Sequence, residues 1–378
     1  MPFFSGDLRK RPSISGKLTK AGALSPRYYA RMLKTFSIRF AALAVGVVVM
    51  LSGCVTHQSV KTSLAPLPET VTSFGAVTAD GWLYAFGGHK GERHEYSVEM
   101  VSGSFQRLKL SDGRAWEMLP SATPGQGQPL VTHDGFIYRV GGMAARNHAD
   151  AKQDLFSMSL VQRFDPRTQR WENVTPLPAP RSSHDAVVIG NKLYVAGGWQ
   201  VSGRTDKAIW LTNALVLDLA HPQAGWKEFP QPFQRRALAL AALGTRVFCI
   251  GGMDSNNKPT LAVDIYDTAT GEWTKGPNLP PGEHEGFSCS AIAQDGWIFA
   301  NAFQGDLLRL STNARSWEVV GRVEHPRMAH RLVTAGKTQL IALGGEDGED
   351  KRPDLELLTP TATPVVAIKT QTATANVQ

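Results

Sequence analysis

Cysteine is scarce, with three in 378 residues. So few thiols exclude a disulfide-stapled scaffold. No stretch near the front of the chain reaches the roughly 20 apolar residues of a membrane-spanning helix. The apolar run at residues 40–51 stops after about a dozen. Two signatures of phosphate and acyl chemistry are missing: there is no Gly-x-Ser-x-Gly elbow and no phosphate-cradling glycine loop. Metal-site spacing is missing too. Glu283-His284-Glu285 lacks a second histidine four residues on, and His89 and His94 stand five apart in a polar stretch. We therefore expect no metal site and no cofactor.

An excess of charge is also absent once the front of the chain is set aside. The whole sequence carries a net charge of +7, yet residues 1–53 hold nine Lys/Arg and a single acid, Asp7. From Cys54 onward 31 basic residues face 32 acidic ones, a net charge of −1. A near-neutral body has no general electrostatic attraction for nucleic acid. The front of the chain has a different purpose. Arg31, Lys34 and Arg39 precede the apolar run, which ends at Leu51-Ser52-Gly53-Cys54. Basic residues, a short apolar core and small residues make a secretory signal. The last four residues resemble the lipobox of bacterial lipoproteins. That resemblance implies lipidation of Cys54, and Val55 after it implies the outer membrane. A start at Met32 would give a leader of ordinary length. The expected organisation is a leader and signal at 1–53, the lipidated Cys54 and a tether at 54–58, a folded body at 59–369 and a polar tail at 370–378. Cys249 and Cys289 remain, both in strand-like runs; two buried thiols or one disulfide are both open.

What is present is a repeat. Gly87-Gly88, Gly141-Gly142, Gly197-Gly198, Gly251-Gly252 and Gly344-Gly345 alternate with Trp116, Trp171, Trp226, Trp273 and Trp317. A period of roughly 50 residues is the mark of a repeat architecture. Within one unit, residues 181–230 read as four short strands: an apolar run, the turn Gly190-Asn191, a strand ending at Gly197-Gly198, a long polar stretch, then two more strands. Asp80-Gly81, Asp134-Gly135 and Asp295-Gly296 supply the same first turn elsewhere. Four antiparallel strands per unit make a propeller blade. The units fall near 69–120, 121–179, 180–230, 231–280, 281–325 and 326–369. The fifth replaces the glycine pair with Asn301-Ala302, and the sixth lacks a Trp. This glycine and tryptophan pattern resembles the kelch repeat across the body of the chain, which implies an all-β, six-bladed kelch-type propeller. Ring closure has two candidates for the last outer strand, residues 63–68 and residues 364–369, and the first is favoured.

Antiparallel order puts the residues before each first strand on the same face as the loops after each glycine pair, and those loops are the long ones. Long loops on a rigid scaffold carry function more often than short turns. Aligning the units places Arg181, Arg235 and Arg327 level with one another, with His184 and His330 three residues beyond the first and last; Phe74 and Gln128 are level with His184. Arginine forks suit anions. Trp199, His89 and Arg93 lie in the same loops and are further candidate ligand contacts. The expected function is a non-catalytic recognition scaffold for an envelope protein or a glycan, anchored through Cys54, facing the periplasm and monomeric. A second expectation comes from bacterial N-acetylneuraminate mutarotase/epimerase, an exported six-bladed kelch protein. It implies an acid–base pair, here Glu283 and Glu285, beside an arginine clamp. The copper radical oxidases of the same fold use a Tyr-His pair, and none of the seven tyrosines here is followed by His.

Overall fold

The computed structural model describes residues 64–203 and 207–367. Cys54, its tether, the leader and the tail at 370–378 lie outside the described residues. The first sheet shows how the sequence makes a blade. Gly75–Ala79, Trp82–His89, Val101–Lys109 and Trp116–Leu119 pair in chain order, all antiparallel. The turn between the first two is set by Asp80 and Gly81, with φ of 49° and 77°. Two consecutive positive φ values define the hairpin turn whose twist matches that of the strands. Asp134-Gly135 and Asp295-Gly296 repeat these values within a few degrees.

Four further sheets follow the same order, with first strands Leu130–His133, Ser182–Ile189, Ala239–Leu243 and Ser290–Gln294. The sixth has three strands: Arg331–Ala335, Gln339–Leu343 and Leu355–Leu358. No α-helix occurs among the described residues. The hydrophobic core is divided into six clusters, each between neighbouring sheets. One of them closes the circle: Leu83, Ala85 and Leu108 of the first sheet pack with Val333, Ile341 and Leu343 of the sixth. This is a β-propeller.

The circle also closes through the backbone. At the entry to each first strand stands a residue in the left-handed region: Ser73, Gly127, Ser183, Ala237, Ser288 and Ala329, with φ between 50° and 64°. Each donates its N–H to the carbonyl of the equivalent residue one sheet back, and Ser73 completes the loop on Ala329, at 2.7–3.1 Å throughout. Six hydrogen bonds thus form an unbroken ring about the axis. Every member is Gly, Ala or Ser, small enough for the crowded neck.

Tryptophans tie the outer strands. The indole Nε1 of Trp171, Trp226, Trp273 and Trp317 donates to the carbonyls of Pro120, Thr175, Pro230 and Pro277, each behind the preceding sheet's fourth strand. Trp116 donates likewise to Ala65 at 3.0 Å. Residues 64–68 therefore lie where the chain leaves a fourth strand in the other sheets, but they form no strand, so the outer strand expected from residues 63–68 is not made by the described residues and the sixth sheet keeps three. The C-terminal candidate goes elsewhere: Val366–Ala367 pairs with Trp317–Arg322 and so extends the fifth sheet. The glycine pairs differ from expectation in one respect. In the first and third sheets the second strand runs through the pair, ending at His89 and Gln200. Cys249 and Cys289 are free, buried thiols, not a disulfide.

Candidate functional site

The Arg and the His of Pro-Arg-x-x-His have structural roles. Take Pro180 to His184. Arg181 is 1% exposed, and its guanidinium donates to the Gly197 and Asn213 carbonyls and to Asn213 Oδ1, at 2.8–3.0 Å. Arg235 does the same to the Gly251 and Ala262 carbonyls and pairs with Asp264 at 2.7 Å. Arg327 donates to the Gly344 and Asp354 carbonyls and is held by the Asp354 and Glu356 carboxylates. Each arginine clamps the carbonyl of the first glycine of its pair to a carbonyl at or just before the start of the next strand. Burial lowers the Arg181 pKa to about 10. The mouth expected to hold these three arginines does not present them to a ligand: they are interior fasteners.

The histidines are wedges between sheets. A Cβ on Gly198 would meet His184 Cβ at 2.8 Å, and one on Gly141, in the preceding sheet, would meet His184 Cε1 at 2.9 Å. The same slot holds Phe74, Gln128 and Leu238, each against the glycine pairs of two sheets, and Cys289 and His330, each against one pair because the fifth sheet has Asn301-Ala302 instead. Only glycine leaves room for both the wedge and the positive φ. His184 and His330 are 3% exposed, and neither ring nitrogen of His330 has a partner. Burial first, then nearby arginines, lower both pKa values, that of His330 to about 3. They too are withdrawn from the mouth.

The remaining expected residues scatter. His89 is buried, its Nε2 bonded to the Glu95 carbonyl at 2.8 Å. Arg93 is exposed and pairs with Glu346 at 3.2 Å. Glu283 and Glu285 are exposed on a turn, with positive φ at His284 and Glu285. With the three arginines committed inside, the acid–base pair and its anion clamp are not assembled. His325, Asp354 and Glu356 cluster closely enough for a metal, but Arg327 already bonds both carboxylates. A groove of about 450 Å³ lies between the third and fourth sheets, lined by Phe233, Asn256, Asp264 and Lys275 among others. Asp264 there is occupied by Arg235 and by Lys275, at 2.7 and 2.6 Å.

Two arginines that the alignment did not single out stand at the axis and the mouth. Arg331, two residues past the ring, reaches from the sixth sheet to Asp185 of the third at 3.3 Å. On the way it donates to the carbonyls of Phe74 and Gln128, at 2.8 and 3.4 Å. In a ring of six sheets the third and sixth are opposite, so this pair crosses the axis and bars the channel. Arg236 sits on the other side of the ring, next to Ala237. Its guanidinium stacks on Trp199 at 4.3 Å, with Trp210 and Phe287 at 5.9 and 5.7 Å. Nη2 contacts Met253 Sδ at 3.1 Å.

Comparison with known proteins agrees with this geometry. The Kelch motif family model matches residues 180–211 and 234–280. Those two stretches carry the Kelch motif. The chain's relatives include beta-scruin of Limulus polyphemus, 29% identical over 211 residues, which covers 54% of this chain and 21% of that protein. Kelch-like protein terF of Aspergillus terreus is 25% identical over 225 residues, 58% of this chain and 47% of its own length. The chain thus spans less than half of either relative. Among solved structures, YjhT superposes with a TM-score of 0.64 at 16% identity, over 81% of this chain and 99% of that one. That likeness shows the propeller fold. Kelch propellers are suited to scaffold partner proteins. Within the kelch framework the Arg and His of the repeat build the fold, and the loop residues beside the ring, Arg236 foremost, give this chain its own character.

Proposed function

We propose that this propeller is a recognition scaffold, held at the envelope membrane through lipidated Cys54, whose long-loop face takes a protein or glycan ligand. One observation carries the reading. The Arg331–Asp185 pair crosses the axis two residues past the ring of six, so the long-loop side has a floor of fixed side chains. Loops from five of the six sheets rise around that floor. Rigid floors with variable loops are how propellers present binding surfaces. The lipobox-like Leu51-Ser52-Gly53-Cys54 supports the anchor, and the near-neutral body argues against a nucleic-acid partner.

The test has two arms. In a diderm bacterial host, Cys54→Ala should abolish labelling by an alkyne fatty acid and release the protein from the membrane fraction. Equal labelling of the variant refutes the anchor. For the platform, envelope extracts are passed over the immobilised body. A partner retained by the wild type and lost when residues 199–210 and 253–260 are replaced by short Gly-Ser linkers supports the reading. Retention unaffected by both replacements, with the fold intact by circular dichroism, overturns it.

A further inference from the structure

Among the described residues Arg236 is a half-buried cation with no anion. Among the described residues no carboxylate pairs with it, in contrast to Arg235 beside it, Arg327 and Arg331. Burial lowers its pKa to about 10, and the only opposing influence comes from Tyr96, itself half-buried. Taking a guanidinium out of water is costly unless a counter-charge and hydrogen bonds replace the lost hydration. Stacking on aromatic faces recovers part of this. It leaves the N–H groups wanting, since a ring face accepts no in-plane hydrogen bond. Nε is sealed and unbonded, and so is Nε1 of Trp199. Nη2 has only a thioether sulfur, a weak acceptor. Nη1 has no partner and is not sealed, so one edge of the guanidinium opens to solvent.

The surroundings say what could approach that edge. Trp199, Trp210 and Phe287 frame it, with Met253 behind. The frame is rigid: Trp199 and Trp210 face each other across paired strands at 5.7 Å, and Arg236 pairs in register with Met253. An inorganic anion would find a charge there but no use for the rings. A carboxylate carried on a compact body with a C–H face would find both. We infer that the Arg236 frame is a binding site for the carboxylate of such a ligand, the charge on Nη1 and the body against the tryptophans. This rests on the platform reading above and names the chemistry of its contact point.

The probes are D-glucuronate and N-acetyl-L-glutamate, with D-glucose and N-acetyl-L-glutamine amide as uncharged matches, titrated into the full chain by calorimetry and tryptophan fluorescence. The expected result is saturable binding of at least one carboxylate, with Kd below about 10 mM, and none for its uncharged match. Arg236→Gln should weaken it by about 10-fold or more, with Arg170→Gln, at an exposed position in the second sheet, unchanged. Arg236→Lys should restore less than half of the loss, because lysine lacks the planar fork that stacks. Which probe binds separates a sugar acid from an acidic side chain as the source. If no carboxylate binds, or if Arg236→Gln binds as wild type while folded by circular dichroism, the inference is overturned. A partner captured through the loops in either of those cases leaves the platform reading standing, so the two failures are distinct.

Discussion

Mild acid should destabilise this propeller through His330, and the repeat itself supplies the control. His330 is 3% exposed, with both ring nitrogens unbonded, and its pKa is lowered to about 3 by burial and then by Arg327 and Arg331. In the unfolded chain the imidazole titrates near its ordinary value of about 6.5. The folded pKa is the lower one, so the unfolded state binds the proton first. The full stability is present above about pH 6.5 and is lost as the pH falls toward 3. At pH 5 the unfolded ring is almost fully protonated and the folded one hardly at all, which costs about 2 kcal/mol; at pH 3 the cost is about 4 kcal/mol. His184 acts in the same direction. The fourth sheet places Leu238 in the same slot, so His330→Leu installs a side chain the fold already uses. Urea denaturation at pH 7.5 and pH 5.0 should show the variant losing about 2 kcal/mol less than wild type between the two conditions. Equal losses would mean that His330 takes up its proton in the folded protein, and the wedge assignment would be wrong.

Four other perturbations follow from the same geometry. A Cβ on Gly197, where φ is +73°, would come within 2.2 Å of Leu238 Cδ2 and 2.9 Å of the Arg235 carbonyl; Gly197→Ala should cost about 3 kcal/mol or more in urea denaturation. Gly190→Asn, at φ +55° with open space around it, should cost under about 1 kcal/mol. Arg331→Met leaves the Asp185 carboxylate buried without its partner and should cost about 3–5 kcal/mol, whereas Asp185→Asn combined with Arg331→Met should recover much of that; strictly additive losses would count against a bar across the axis. Burial pushes both the Cys249 and Cys289 thiols up to about 12, so neither should react with maleimide in the native protein at pH 8 while both react in guanidinium. Fast native labelling of either would contradict their placement.

The propeller was legible because its signals are local. A positive φ at two adjacent positions selects Asp-Gly, close backbone approach selects Gly-Gly, and both recur at a fixed spacing that a single sequence displays. The candidate site was less legible, for a reason visible in two neighbouring residues. Aligning the units set Arg235 level with Arg181 and Arg327 but could not say which way the side chains turn. Arg235–Arg236 is extended and pairs with Met253–Asp254. Successive side chains on such a segment point to opposite sides. Arg235 turns inward to the carbonyls and Asp264, and Arg236 turns outward beneath Trp199. The repeat register marked the fastener, and the residue beside it, whose counterparts Thr72, Gln126, Ser182, Phe287 and Met328 are not arginine, is the one left open to a ligand. Arg331 escaped for a different reason. Its partner Asp185 is 146 residues away, and the other sheets carry Gly75, Pro129, Ala239 and Ser290 at the matching position. An acid and a base that occur once each in a sixfold pattern look like noise in the repeat. They become a pair only when closure of the ring sets the third sheet opposite the sixth.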